Sequence, residues 1–332
     1  MKKLLTIGAA AAGMAFSVSA MAADISPAVL YDIGGRNDKS FNEAAYTGAE
    51  LFSSEKGVSY RDFEIQNDSQ REQALRNFAK RGMSPIVAIG FSQANAVEKV
   101  AKEYPDLQFA IVDMVVDLPN VRSIVFKEHE GSYIVGLAAG MASETGKVGF
   151  IGGMDIPLIR KFACGYKQGV MAANSDAEVL ENMTGTTGGA WNDPVKGGEL
   201  AKSQFDRGAD VIYHAAGGTG LGVLQAVADA GKLGIGVDSN QNGLHPGHVL
   251  TSMLKRVDNA VYMAFDDAMN DNWSAGIQVL GLAEGGVDWA VDENNKELLT
   301  PEMLAAVEAA KADIISGKIE VHDYMADESC PM

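Results

Sequence analysis

The chain has 332 residues, with 44 acidic against 27 basic side chains and a formal net charge of −17. A polymer this acidic is repelled by phosphate backbones and anionic bilayer surfaces, which excludes nucleic-acid wrapping and polybasic membrane docking. Hydrophobic residues make up 47% and glycines number 37, without heptad arrays, charge blocks or low-complexity tails, as in turn-rich globular α/β proteins.

Residues 1–22 come first in chain order. Lys2 and Lys3 precede an apolar run over 4–18 and a small-residue exit at Ala20-Met21-Ala22, the pattern of a cleaved secretory leader. The run is too short, and too rich in glycine and alanine, to span a bilayer. Its start also lacks the cap that an ordinary buried N-terminal helix would carry. The mature chain is expected to start at Ala23, leaving 25 basic against 44 acidic side chains, a net of −19. Export puts ATP, NAD and most soluble cofactors out of reach, so no cofactor is expected. The only cysteines are Cys164 and Cys330. With neither beside Ala22 to take a lipid, the expected location is the periplasm, unlipidated. Two cysteines in an oxidising compartment also raise a Cys164–Cys330 disulfide. Spacing alone leaves that open against two unpaired thiols, because it does not reveal the Cα separation.

Beyond the leader, short β-branched runs alternate with amphipathic helical patterns. Strands are predicted over 28–33, 60–65, 86–90, 108–112 and 121–126, with helices over 41–56, 70–81 and 93–103 between them. A second series follows: helix 130–143, strand 148–152, helix 157–173, strand 178–182, helix 195–206, strand 211–214, helix 221–230 and strand 234–237. Repeated β-α-β units of this length imply parallel sheets with right-handed crossovers. Single cores stop growing near roughly 250–300 residues, so the two series read as two doubly wound, Rossmann-like α/β lobes. The tail reads as a strand over 248–252, a helix over 257–271, and a helix over 300–317 that Thr300 caps, Pro301 starts and Gly317 ends. It is expected to cross back between the lobes and so make a hinge. Ligands of open parallel sheets sit beyond the carboxyl ends of the strands, so facing lobes would share a cleft there.

The chemistry-bearing residues cluster at those ends. In Asn37-Asp38-Lys39-Ser40-Phe41-Asn42-Glu43, Ser40 and Glu43 have capping-box spacing and start a helix. Phe41 and Asn42 fall in its first turn, at the mouth of the cleft. There Phe41 either staples the helix to the sheet or stacks on a flat ligand whose edge Asn42 reads. Asp113 ends the strand Phe109-Ala110-Ile111-Val112. Gly90-Phe91-Ser92-Gln93-Ala94 mimics a nucleophile elbow but lacks its final glycine, so Ser92 reads as an N-cap. In the second series Asp155-Ile156-Pro157 enters a helix carrying Phe162, placed to face Phe41. Gly217-Gly218-Thr219-Gly220-Leu221-Gly222 resembles a dinucleotide fingerprint without its spacing, which leaves an oxidoreductase as the reading from a different class. Gly217 and Gly218 offer free N–H groups at a helix start. Asp238, at the next strand end, suits a sugar diol, or else simply caps a turn. Lys255 either neutralises Asp238 or is solvated. His245 and His248 have H-x-x-H spacing but no third ligand or helix to hold them, so no metal is expected.

Several of these segments together resemble the basic membrane protein family of substrate-binding proteins, whose better-known members are purine nucleoside receptors of bacterial ABC importers. The likeness rests on Asp38-Lys39-Ser40-Phe41-Asn42, Ile89-Gly90-Phe91, Phe109-Ala110-Ile111-Val112-Asp113, Phe126-Lys127-Glu128-His129-Glu130-Gly131-Ser132-Tyr133, Val148-Gly149-Phe150-Ile151-Gly152-Gly153 and Gly236-Val237-Asp238. The resemblance implies a type I periplasmic binding protein that closes about a hinge and acts as a monomer, not an enzyme, delivering its ligand to a membrane permease. Its lobes would span 24–126 plus 242–277 and 127–241 plus 278–332. Phe41 and Phe162 would sandwich a purine, Asn42 and Asp113 would read its edge, and Asp238 with Lys255 would hold the ribose; Asp38, Gly217 and Gly218 join this set. Trp191, in the glycine-rich stretch 184–191, is expected to enter the pocket in a way the family pattern does not specify, so a sugar or flavin remains the alternative ligand.

Overall fold

The computed structural model describes residues 25–331, and the expected leader over 1–22 lies outside the described residues. The first α/β series is β1 (Ala28–Tyr31), α1 (Phe41–Lys56), β2 (Arg61–Glu64), α2 (Arg71–Lys80), β3 (Ile86–Ala88), α3 (Ala94–Glu103), β4 (Phe109–Val112) and β5 (Val121–Phe126). Strands β1, β3 and β4 are apolar at every position and fully buried, because helices cover both faces of a parallel sheet. The second series is α4 (Glu128–Ala142), β6 (Lys147–Met154), α5 (Pro157–Ala173), β7 (Glu178–Gly185), α6 (Pro194–Asp206), β8 (Val211–Ala215), α7 (Gly220–Asp229), β9 (Leu233–Asp238) and β10 (Val249–Lys255). The chain ends with α8 (Val257–Met269), β11 (Gly276–Leu280), β12 (Val287–Trp289) and α9 (Pro301–Ile315).

Two six-stranded sheets result, ordered β11-β5-β4-β3-β1-β2 and β12-β10-β9-β8-β6-β7. Among the described residues every pairing between these strands is parallel except that of β12 on β10, and an isolated antiparallel bridge joins Ser26 and Ser84. In each sheet the strand order reverses beside the first strand, β1 or β6, and the carboxyl ends there open a crevice. The two-lobe α/β architecture expected from the alternating pattern is the observed one.

The lobe boundaries differ from expectation. Residues 249–255 pair with β9 in the second sheet, so the first lobe does not regain the chain at 242. It regains it after Lys255, where α8 packs on α1 and β11 pairs with β5. β11 also keeps 278–280 in the first sheet, and neither β11 nor β12 was legible in the sequence. Both are short edge strands, and an edge strand's sheet is chosen by its neighbour rather than by its own pattern. The described residues thus pass between lobes three times: at 126–128, 255–257 and 280–287. Backbone bonds tie these crossings together, from Lys127 N to the Leu280 carbonyl and from Arg256 N to the Gly286 carbonyl.

Helices α4 and α5 pack so closely that a Cβ on Gly136 would collide with the Tyr166 carbonyl. Cys164 of α5 is bonded to Cys330 with a Cα separation of 5.6 Å, which resolves the open alternative in favour of the disulfide. Gln168 flanks it, exchanging two hydrogen bonds with the backbone of His322, so the tail is strapped to the second lobe. The capped last helix is as read: Thr300 Oγ1 accepts from Met303 N at 3.2 Å, Pro301 opens α9, and Gly317 follows it with a φ of 75°.

Candidate functional site

The mouth of α1 is built by Asp38 rather than by the predicted capping box. Asp38 Oδ1 accepts from the backbone N–H of Ser40 and Glu43, and Oδ2 accepts from Asn42 through its backbone N–H and its side-chain Nδ2. Ser40 makes no capping bond; its hydroxyl donates instead to Asp238 Oδ2 in the other lobe. The reason is steric order. Two residues further back, a carboxylate reaches three N–H groups of the first turn at once, which frees the serine. Asn42 is held on its other edge by accepting from Asp32 N at 2.9 Å.

A cavity lies between the lobes at the strand carboxyl ends. Its wall includes Asp38, Phe41, Asn42 and Asp113 from the first lobe, with Phe162, Trp191, Gly217, Asp238 and Lys255 from the second. Nine of the ten residues expected at the site therefore share one cavity. Gly218 does not line it: a Cβ added there would sit 3.3 and 3.4 Å from the Trp191 carbonyl and Asn192 Oδ1. Trp191 ends a short 3₁₀ turn, and its indole lies against Gly153, where any side chain would strike the ring. Asp32, Ile33, Gly90, Phe91, Leu158, Ile159, Ala215 and Val237 complete the wall. Asp32 and Ile33 directly follow β1, so the strand-end rule that found Asp113 would have found them. Leu158 shares a face of α5 with Phe162 at i, i+4 spacing.

Ser92 is no N-cap. It donates to Asp32 Oδ2, while Arg71 pairs with Asp32 Oδ1 at 2.6 Å. The same carboxylate lies against Gly90, which has a φ of 100° and no room for a Cβ. The serine is thus a fixed donor to a salt-bridged carboxylate, not an activated nucleophile.

Lys255 is the electrostatic centre, and its partners differ from those expected. Its ammonium stands 2.7 Å from Asp113 and 2.9 Å from Glu128, rather than on Asp238. It also lies 5.2, 5.1 and 5.5 Å from the ring centroids of Phe41, Phe126 and Phe162. Glu128 opens α4 at the first crossing and is shared with Lys161 of α5 at 3.0 Å. No local pattern marked Glu128 as part of this arrangement, because its partners lie far away in sequence. Burial alone would lower the Lys255 ammonium, but Asp113, Glu128 and Asp238 more than offset it and hold it above its usual value. Burial pushes Glu128 up, yet the two lysines prevail and bring it down to about 2. Asp113 is raised by burial against the pull of Lys255. Asp238 is pushed up to about 7 by burial, with Lys255 and the Ser40 bond opposing. The arrangement presents rings, carboxylate acceptors and one neutralised cation, equipment for holding a polar, partly flat guest.

Known proteins share this architecture. The family described as ABC transporter substrate-binding protein PnrA-like matches residues 25–324. The chain is 34% identical over 321 residues, 90% of its length and 89% of the relative's, to the ABC transporter nucleoside-binding protein BmpA of Lactococcus lactis. It is 35% identical over 285 residues, 81% of its length and 71% of the relative's, to an uncharacterized lipoprotein of Pyrococcus furiosus. Among solved structures, an ABC transporter solute-binding protein of Aeropyrum pernix superposes with a TM-score of 0.82 at 32% identity, covering 89% of this chain and 92% of that one.

These names overturn one expectation. The unlipidated periplasmic location does not stand, since relatives in three Pyrococcus species are named lipoproteins and one in Borreliella afzelii, 28% identical over 87% of this chain and 89% of its own, is named basic membrane protein A. Such names point to lipid-anchored surface proteins. The position of two cysteines bears on one attachment chemistry only and does not establish where a protein resides. By family match, by identity along nearly the whole described length and by fold, the chain belongs to the PnrA-like family of ABC transporter substrate-binding proteins.

Proposed function

We propose that the cavity binds a purine nucleoside, that the lobes close over it about the three crossings, and that a single chain delivers it to the transporter's permease. The observation that carries this reading is the convergence, in one cavity, of Phe41 and Phe162 from opposite lobes with the buried carboxylates Asp113 and Asp238. Rings suit a base, Asn42 and Asp113 suit its polar edge, and Asp238 suits a sugar diol, with Lys255 holding Asp113 in place. Of the four wall carboxylates, Asp32 is paired with Arg71 and Asp113 with Lys255, while Asp38 and Asp238 have no ion-pair partner among the described residues, a balance that disfavours a phosphorylated guest. A relative of 34% identity is named for nucleoside binding. One chain supplies the whole wall, so a monomer suffices.

The magnitudes are adequate. Stacking a base on an aromatic ring contributes roughly 1–3 kcal/mol. Hydrogen bonds to charged groups add roughly 1.5–3 kcal/mol each, and micromolar affinity requires about 8 kcal/mol. Two rings and two charged contacts reach that figure.

The test is mass spectrometry of whatever co-purifies, followed by calorimetry with inosine, guanosine and adenosine on protein stripped by unfolding. Heat with at least one nucleoside is expected, and Phe41→Ala is expected to weaken it roughly 10-fold or more. No heat with any nucleoside or free base refutes the reading, and a co-purifying sugar or flavin replaces it.

A further inference from the structure

Residues 39–40, just before α1 in the first lobe, face residues 238–241, just past β9 in the second. Ser239 Oγ donates to the Ser40 carbonyl and Gln241 Nε2 donates to the Lys39 carbonyl, both at 2.8 Å. Ser40 Oγ donates back to Asp238 Oδ2 at 2.5 Å. Lys39, Ser40, Ser239 and Gln241 all lie outside the cavity wall. The Ser239 and Gln241 bonds join the lobes without occupying the space a ligand would take, while the Ser40 bond ends on Asp238 of the cavity wall.

The donors on the second lobe are held in place. Gln241 Oε1 accepts from Val237 N at 2.9 Å and faces His214 Nε2 at 2.9 Å, so the amide oxygen points inward and its NH₂ points across to the first lobe. His214 is buried and then carries its proton on Nε2. Gln241 N is fixed in turn by donating to Ser252 Oγ at 2.9 Å. On the facing turns, Lys39 has a φ of 60° and Asp238 a φ of 64°. Non-glycine residues keep that left-handed conformation only where surrounding contacts hold it. Here the conformation places the Lys39 carbonyl and the Asp238 carboxylate at the junction.

We propose that Ser40, Ser239 and Gln241 form an interlobe clasp, positioning residues that set how much of the protein is closed before any ligand arrives. The clasp presupposes the reading of the cavity as a site that closes about a hinge. If only the closed form grips its guest, the apparent dissociation constant is the intrinsic one divided by the closed fraction, so weakening the clasp weakens affinity without removing a ligand contact. Each lost hydrogen bond changes the closed-to-open ratio roughly 2- to 10-fold.

Ser239→Ala removes one bond. Gln241→Glu keeps the acceptor for Val237 and His214 but sets an oxygen against the Lys39 carbonyl. The radius of gyration of the ligand-free protein, from solution X-ray scattering, and the release rate of a fluorescent adenosine analogue are measured for each variant. A larger ligand-free radius is expected in both variants. Release roughly 2- to 10-fold faster is expected wherever the analogue binds, with Ser239→Thr restoring the wild-type values. An unchanged ligand-free radius in both variants overturns the clasp. A larger radius in protein that binds no nucleoside sustains the clasp and sinks the nucleoside reading instead, because scattering needs no ligand.

Discussion

Asp238 closes β9 with a left-handed backbone and a carboxyl that burial pushes up to about 7 from an ordinary value near 3.8. In the unfolded chain the same group ionises near pH 4. Between about pH 4 and 7 the native state therefore holds more protons than the unfolded state, and this residue's contribution to stability falls as pH rises, levelling off above 7. Asp238→Asn keeps an acceptor for Ser40 and removes the buried charge. The variant is expected to gain thermal stability over wild type at pH 8 and little at pH 4, while losing affinity for a diol. Melting temperatures across that range check it; a difference independent of pH means that Asp238 does not titrate there. If the diol needs the ionised carboxylate, wild-type affinity should also rise from pH 6 to 8 and that slope should vanish in the variant. Lys255 behaves differently. Among the described residues Asp113 pairs with it alone, whereas Glu128 keeps Lys161, so Lys255→Met leaves the buried Asp113 uncompensated and should destabilise by about 3–5 kcal/mol, measured by urea unfolding.

At the scale of elements, the start of α1 shows how one segment serves two masters. The spacing of Ser40 and Glu43 signalled a helix start, and the helix starts there. The signal was right about the element and wrong about the atom, because Asp38 takes the N–H groups that a capping serine would satisfy. Asp38→Ala should therefore cost about 1–2 kcal/mol of stability through α1. Ser40→Ala should leave α1 intact and act on the interlobe contact instead. Denaturant midpoints separate the two, and equal losses of stability would return the capping role to Ser40. The strands show the converse. β1, β3 and β4 were legible because burial on both faces leaves uninterrupted apolar runs. β11 and β12 were not, since Gly276–Leu280 is half open to solvent and Val287–Trp289 spans three residues.

In the whole molecule, three crossings join two sheets, and a charged chain runs through them. From Asp113 it passes to Lys255, Glu128, Lys161 and Asp323, linking the cavity to the C-terminal tail. The tail is fastened by the Cys164–Cys330 bond, which closes a sequence separation of 166 residues. Replacing Cys330 with Ser should lower stability by about 2–5 kcal/mol, chiefly by freeing the unfolded chain. Thermal unfolding checks this, and an unchanged melting temperature would show that Gln168 and the ion pairs hold the tail unaided.

The alternation of strand and helix, the division into two α/β series, the helix-start position of Phe41 and the strand-end positions of Asp113 and Asp238 were all written in the sequence itself. Periodicity, burial on both faces and turn chemistry act over a few residues, so a local pattern is enough to specify them. Which sheet took Val249–Lys255, whether Cys164 met Cys330, why Gly218 turned away and where Lys255 placed its charge were decided only when distant segments met. The ammonium of Lys255 finds Asp113 across 142 residues, and the hydroxyl of Ser40 finds Asp238 across 198. A polar side chain has many equivalent partners in the unfolded chain, and only packing of the two lobes removes all but one or two.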